Sequence, residues 1–155
     1  MCSMEVPIVL VDTKVISKDN LTQFNITWKF NKSFVSTLSM YDENKDGKLD
    51  KKEQALIQDT LEAYLSDNNY LSIIQLCSKD REPTENKDLK IVAYDKKMKI
   101  IKDHMEYKYS FKSDFLLKKD SYLFIKFFDK NYSFNFMSDK VSIDGFKGYK
   151  KIIKK

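Results

Sequence analysis

The chain has 155 residues, 42% hydrophobic and 14% aromatic, with 28 basic against 23 acidic side chains for a net charge of +5. At roughly 100–200 residues per domain this is one domain with enough apolar material for a core, which excludes wholesale disorder. Only 3 Gly and 2 Pro exclude collagen-like and low-complexity architectures, and no apolar run approaches the roughly 20 residues of a membrane-spanning helix.

In chain order, Met1-Cys2-Ser3-Met4-Glu5 has neither a basic n-region nor an apolar h-region. The protein is then either cytoplasmic or shown without its leader. In the second case Cys2 is a candidate first residue of a mature lipoprotein. Ile8 to Ile16 reads as a strand. Phe24, Ile26, Trp28 and Phe30 alternate with Gln23, Asn25, Thr27 and Lys29, which predicts a strand with one buried face. From about residue 31 to 68 the period lengthens. Phe34, Leu38 and Tyr41 fall at i, i+4 and i+7, and Ile57, Leu61, Tyr64 and Leu65 at i, i+4, i+7 and i+8, so two helices with one apolar face each are expected. Leu71 to Cys77, Leu89 to Tyr94 and Met98 to Ile101 are further strands, with a polar surface loop over Glu82 to Asp88. Tyr107, Tyr109 and Phe111 alternate again, and Tyr122 to Phe128 is nearly continuous in apolar residues, as a central strand would be. Asp129-Lys130-Asn131 supplies a turn before the alternating Tyr132, Phe134 and Phe136. The expectation is an α+β fold, a mainly antiparallel β-sandwich or partly closed barrel formed by residues 1–155, with an inserted helix–loop–helix at about 31–68.

The residues between the two helical stripes carry chemistry. Asp42-Glu43-Asn44-Lys45-Asp46-Gly47-Lys48-Leu49-Asp50-Lys51-Lys52-Glu53 fits the twelve-residue calcium loop of an EF-hand. Asp42, Asn44 and Asp46 at positions 1, 3 and 5 offer hard oxygen ligands. Gly47 stands at position 6, where the loop turns sharply and a Cβ is unwelcome. Lys48 at position 7 offers only its backbone carbonyl, and Leu49 at position 8 anchors the loop. Asp50 at position 9 acts directly or through water, and Glu53 at position 12 closes the site with a bidentate carboxylate. The competing reading is an acidic surface turn without metal, but Gly, the apolar residue and Glu all arrive in register. A second loop is absent, so Leu49 must brace against the β-domain or another copy. Lysines 45, 48, 51 and 52 weaken the local negative potential. A dissociation constant on the order of 10⁻⁵ to 10⁻³ M follows, which favours a structural ion outside the cytoplasm.

Other chemistries are poorly supplied. His104 is the single histidine, which excludes a multi-histidine zinc site; set among Lys102, Asp103 and Glu106, it reads as a solvated turn residue rather than a general base. There is no glycine-rich phosphate loop and no Gly-x-Ser-x-Gly elbow, so an enzyme is not expected. Arg81 is the only arginine. The planar fork that grips phosphate or guanine is therefore nearly missing, and the lysines read as a solvated surface of an AT-rich coding bias rather than a nucleic-acid site. Cys2 and Cys77 cannot build a disulfide framework, and Cys77 reads as a buried, inert thiol. Asn-x-Ser/Thr strings begin at Asn20, Asn25, Asn31 and Asn131, the frequency expected by chance in an Asn-rich chain, although Asp129 gives the last the extended bacterial acceptor pattern. The basic end, Lys147 to Lys155, reads as a solvated tail with some capacity to touch an anionic membrane.

These pieces together resemble a known family. Trp28-Lys29-Phe30 ends a strand, Phe34 and Leu38 lead into the calcium-type loop, and the second helix ends in Leu65-Ser66-Asp67-Asn68-Asn69-Tyr70-Leu71. Phe128-Asp129-Lys130-Asn131-Tyr132-Ser133-Phe134 follows near the C-terminus. The order is similar to the bacterial family called domain of unknown function 1007, uncharacterised ABC-type transport substrate-binding-like proteins. The resemblance implies a periplasmic location and, through neighbouring nickel/cobalt-type transporters, a metal-transport accessory role. The loop carries over position by position at Asp42, Asn44, Asp46, Lys48, Asp50 and Glu53. The family's His-Pro-His start does not, since Val6-Pro7-Ile8 stands here, and aliphatic side chains cannot replace imidazole toward nickel, cobalt or zinc. The expected function is thus an exported, non-enzymatic Ca²⁺-binding protein of the periplasm or cell envelope with a mainly structural ion. Its expected partner is an envelope or transporter protein, without nucleic acid, and membrane contact is expected only through a lipid on Cys2. The alternative is an accessory or substrate-binding component of a bacterial metal transport system.

Overall fold

The computed structural model describes residues 7–18, 21–77, 89–113, 122–131, 134–144 and 152–154. Eight strands run in the order β1 (Ile8–Lys18), β2 (Leu21–Phe30), β3 (Ser72–Cys77), β4 (Tyr94–Ile101), β5 (His104–Ser113), β6 (Tyr122–Phe127), β7 (Asn135–Asp144) and β8 (Ile152–Lys154). Between β2 and β3 lie helix α1 (Lys32–Thr37), a 3₁₀ turn over Leu38–Tyr41, and helix α2 (Lys51–Asp67). Strands β4-β5-β2-β1-β7 form one sheet and β3-β6-β8 a second. The fold is α+β and mostly strand.

The first sheet is built on the alternation visible in the sequence. In β2, Phe24, Ile26, Trp28 and Phe30 are buried, and in β5 Met105, Tyr107, Tyr109 and Phe111. The antiparallel register pairs Phe24 with Phe111, Ile26 with Tyr109, Trp28 with Tyr107 and Phe30 with Met105, so both apolar faces point to the same side. Phe24 and Phe111 stack with ring centroids 4.7 Å apart. Trp28, fully buried, meets Tyr109 at 5.8 Å, Phe136 of β7 at 5.0 Å and Phe127 of the second sheet at 6.3 Å. A single core therefore joins the two sheets and takes Ile57 and Leu65 from α2. The outer face of the first sheet mixes exposed Ile8, Leu10 and Met137 with polar and charged residues. Lys29 lies 3.2 Å from Asp12 and also pairs with Asp139, which spans β2, β1 and β7. The Lys29 ammonium holds the Asp139 carboxyl below the usual carboxylate range. Asp12 also accepts the Lys140 N–H at 3.1 Å, where the β1–β7 register slips by one residue.

Among the described residues the two sheets form no closed barrel, and four of the six pairings are antiparallel, with β1–β7 and β6–β8 parallel. Several other expectations are corrected. The first helix is only six residues long before its last turn tightens to 3₁₀. Leu89 to Ala93 is not a strand, because Asn69 captures its backbone: Asn69 Nδ2 donates to Leu89 O at 2.9 Å and Asn69 Oδ1 accepts from Ile91 N at 2.7 Å. The last strand of the first sheet runs to Asp144, well past Phe136. Within the basic tail, Ile152–Lys154 pairs with β6 instead of fraying. The loop expected over Glu82 to Asp88, together with Cys2 and Asn20, lies outside the described residues.

Candidate metal centre

Asn31 caps α1, its Oδ1 accepting from Phe34 N at 3.0 Å, and the chain leaves the following 3₁₀ turn at Asp42. Two residues in the left-handed region, Lys45 at φ 56° and Gly47 at φ 81°, then reverse it. Glycine suits the second because no Cβ penalty arises there. The loop is organised by its own acids. Asp42 accepts from Asp46 N at 3.3 Å through Oδ1 and from Gly47 N at 2.9 Å through Oδ2. Asn44 Oδ1 lies 3.3 Å from Asp46 N, and Asp46 Oδ1 accepts from Lys48 N at 2.9 Å. Carboxylate and amide oxygens that bind main-chain N–H groups are held inward, with lone pairs remaining for a further positive partner.

At the other end of the loop a reciprocal cap starts α2. Asp50 Oδ1 accepts from Glu53 N at 2.8 Å, and Glu53 Oε1 accepts from Asp50 N at 2.9 Å. Glu53 Oε2 reaches back across the loop to Glu43 N at 2.7 Å. Its carboxylate is 5% exposed, buried where helix, loop and 3₁₀ turn converge. Gln54 Nε2 donates to Leu49 O at 2.7 Å, and Leu49 packs on the core of the β-domain. Leu49 therefore braces on its own chain, as one of the two expected arrangements requires.

Carboxylate oxygens of Asp42, Asp46 and Glu53 lie within 4.8 Å of one another. Two oxygens held by one calcium ion at 2.3–2.6 Å can be no more than about 5 Å apart, so the spacing fits a single Ca²⁺. The donor set is all hard oxygen, which suits calcium over thiolate- or imidazole-seeking metals. Unpaired, each pair of such charges near 4 Å repels by about 1 kcal/mol in a water-like medium and about 4 kcal/mol with weaker screening. Among the six expected ligand residues, then, Asp42, Asp46 and Glu53 converge. Asn44 and Lys48 sit in the same turn through main-chain bonds, and Asp50 is committed to capping α2. The sequence reading missed Glu43, which contributes only an N–H, and Gln54, which holds the Leu49 carbonyl. Neither role leaves a residue-type signal.

The remaining candidates fall elsewhere. His104, 70% exposed at the β4–β5 turn, lies 2.7 Å from Asp103. Cys77 is buried on β3. Asn25 is half-buried within β2 and accepts from Ser110 Oγ at 2.8 Å. Asn131 donates to Tyr64 Oη at 3.1 Å, and buried Asp129 accepts from the same Tyr64 hydroxyl at 2.6 Å. This clasp ties α2 to the segment after β6. No protein-family model, curated protein or solved structure matches the chain.

Proposed function

We propose that the protein is a non-enzymatic calcium-binding domain in which one EF-hand-like loop staples the helical insertion to the β-sheets. The observation that carries this reading is the convergence of Asp42, Asp46 and Glu53 at a spacing one calcium ion spans, within a loop whose turns present Gly47 at positive φ. The ion's ligands would be those three carboxylates, Asn44, the Lys48 carbonyl and Asp50 directly or through water. Calcium would offset the mutual repulsion of the carboxylates and fix the angle between α1 and α2. With no partner loop and four lysines nearby, affinity in the 10⁻⁵ to 10⁻³ M range is expected, so the site fills where calcium is near millimolar. An exported location, an envelope or transporter partner and the transport-accessory alternative rest on the family resemblance.

The test is a thermal unfolding series on metal-stripped protein with calcium, magnesium, zinc or nickel added back separately. Selective stabilisation by calcium supports the reading. A response to zinc or nickel alone would replace it with the transport alternative, and no response to any ion would reduce the loop to a polar turn.

A further inference from the structure

A cleft of about 380 Å³ lies against the candidate metal loop. One wall is the loop itself, with Gly47, Lys48 and Leu49. Ile100 near the end of β4, Lys102 at the β4–β5 turn, and Val35 and Ser39 complete the lining. Pockets of roughly 300–1,000 Å³ hold small ligands. Its chemistry is divided. Val35, Leu49 and Ile100 offer an apolar surface, while Lys48 and Lys102, both exposed, are its two basic lining residues.

Among the described residues, neither ammonium has a carboxylate within ion-pair distance, as is true of most lysines here. The one acid lining the cleft, Asp42, has both oxygens turned to main-chain N–H groups of its own loop. Ser36 Oγ and Gln54 Nε2 likewise donate to backbone carbonyls. The charged donors of the cleft are these two ammonium groups, beside the neutral Ser39 hydroxyl, and Gly47 leaves the loop side bare, with no atom within 4 Å of where a Cβ would stand.

We propose that this cleft binds a small organic acid, a carboxylate or phosphate ester on a short apolar body, and that calcium in the adjoining loop tightens the binding. The acid group lies between Lys48 and Lys102, and the apolar body lies on Val35, Leu49 and Ile100. The coupling rests on the calcium reading above. Without the ion, the three loop carboxylates repel an incoming anion; with it, two of those charges are cancelled. By linkage the anion raises calcium affinity by the same factor.

Titration calorimetry on the full chain tests this with hexanoate and phenyl phosphate as probes and hexan-1-ol as a neutral control. Each is run with saturating calcium and after stripping on a chelating resin. The expected result is binding of an acid but not the alcohol, about fivefold or more tighter with calcium. The probe that binds better identifies the acid group. Lys48→Ala/Lys102→Ala should weaken the probe about tenfold, and Lys102→Ala alone, which lies outside the calcium loop, should carry part of that loss at unchanged calcium affinity. Equal binding by the double variant, or binding of hexanol, would overturn the cleft. Equal binding with and without calcium would overturn the coupling. If calcium itself fails to bind, the calcium reading falls with the coupling, and the double variant still decides the cleft.

Discussion

Glu53→Gln separates the two roles that one carboxylate holds here. In the ion-free protein its two oxygens serve Asp50 N at 2.9 Å and Glu43 N at 2.7 Å. Glutamine keeps one acceptor oxygen, so one part-buried N–H loses its partner at a cost of about 1 kcal/mol. The change also removes one of three clustered charges, and with it two of the three repulsive pairs, each about 1–4 kcal/mol depending on screening. The loop is largely exposed, so the water-like value applies, and the two relieved pairs, about 2 kcal/mol together, set against the lost hydrogen bond leave the stripped variant within about 2 kcal/mol of the parent. Calcium should then distinguish them. At about 100 times its dissociation constant a ligand stabilises by about 2.7 kcal/mol. At about 2–4 °C per kcal/mol for a chain of this size, the parent Tm should rise by about 5–11 °C. The variant lacks the closing bidentate ligand and should lose most of that rise. Calorimetric melts of both proteins, stripped and then calcium-loaded, with magnesium as control, read the difference. An equal calcium increment in the two proteins would refute the assignment of Glu53 as a ligand.

Three further outcomes follow from named contacts. Gly47→Ala meets no steric clash but forces a Cβ onto φ 81°, at about 1–2 kcal/mol, so calcium affinity should fall about tenfold; unchanged affinity in a calcium titration would contradict the loop geometry. Trp28→Ala should cost about 3–5 kcal/mol in urea unfolding, because Trp28 joins both sheets through Tyr109, Phe136 and Phe127; a loss under about 1.5 kcal/mol would show that the sheets do not share that core. Burial pushes the Tyr107 and Tyr109 hydroxyls well above the ordinary tyrosine range, so the unfolded chain ionises near pH 10 while the folded one does not. That contribution to stability is fully present below pH 10 and is lost as pH rises above it. Phenolate absorbance should therefore appear in two stages, exposed tyrosines first and these two only with unfolding; a single stage in folded protein would count against their burial.

What the sequence could express depended on whether the determining interactions were local. Strands β2 and β5 were legible because each has one buried face, and burial on one face writes a period of two into the residues themselves. The acidic turn was legible for the same reason: Asp42, Asp46, Gly47 and Glu53 all lie within twelve consecutive positions. Strand β7 beyond Phe136 was not, since Met137 to Asp144 is an edge segment with no buried residue, joined to β1 by a parallel pairing over more than a hundred positions. The turn over Asn69–Leu71 left still less trace. All three residues adopt positive φ, which Tyr and Leu rarely do, and the conformation is held from outside. Tyr70 and Leu71 are buried, and Leu71 O accepts from Phe128 N at 2.8 Å. Periodicity at 31–41 marked the apolar face correctly, with Leu38 buried, yet could not distinguish an α-turn from the 3₁₀ turn that ends it. The cleft beside the loop was hidden because its lining includes Ile100 and Lys102, some fifty residues downstream.

The proposed calcium loop has no partner loop among the described residues, and its brace is the hydrophobic core. Leu49 packs on the core, and Gln54 holds its carbonyl from the first turns of α2. Farther along, α2 is fixed at Ile57 and Leu65 in the core, at Tyr64 through Asp129, and at Glu62, which accepts from Tyr107 Oη at 3.3 Å and pairs with Lys96 at 3.7 Å. Each anchor lies on a different part of the two sheets. An ion that fixes Asp42 against Glu53 therefore fixes the start of a helix whose whole length is already tied down. The free energy of binding then appears as cooperative stability of the domain rather than as local ordering of twelve residues. The domain-wide response separates a structural ion from a sensor's. In a sensor, metal would change the exposure of the apolar face formed by Phe34, Leu38, Ile57 and Leu61; here Leu38 and Ile57 are buried before any ion binds. Hydrogen exchange should accordingly slow across α2 and the adjoining strands on calcium addition, with no newly exposed apolar surface for a hydrophobic dye to report. Dye binding induced by calcium would convert the staple into a switch.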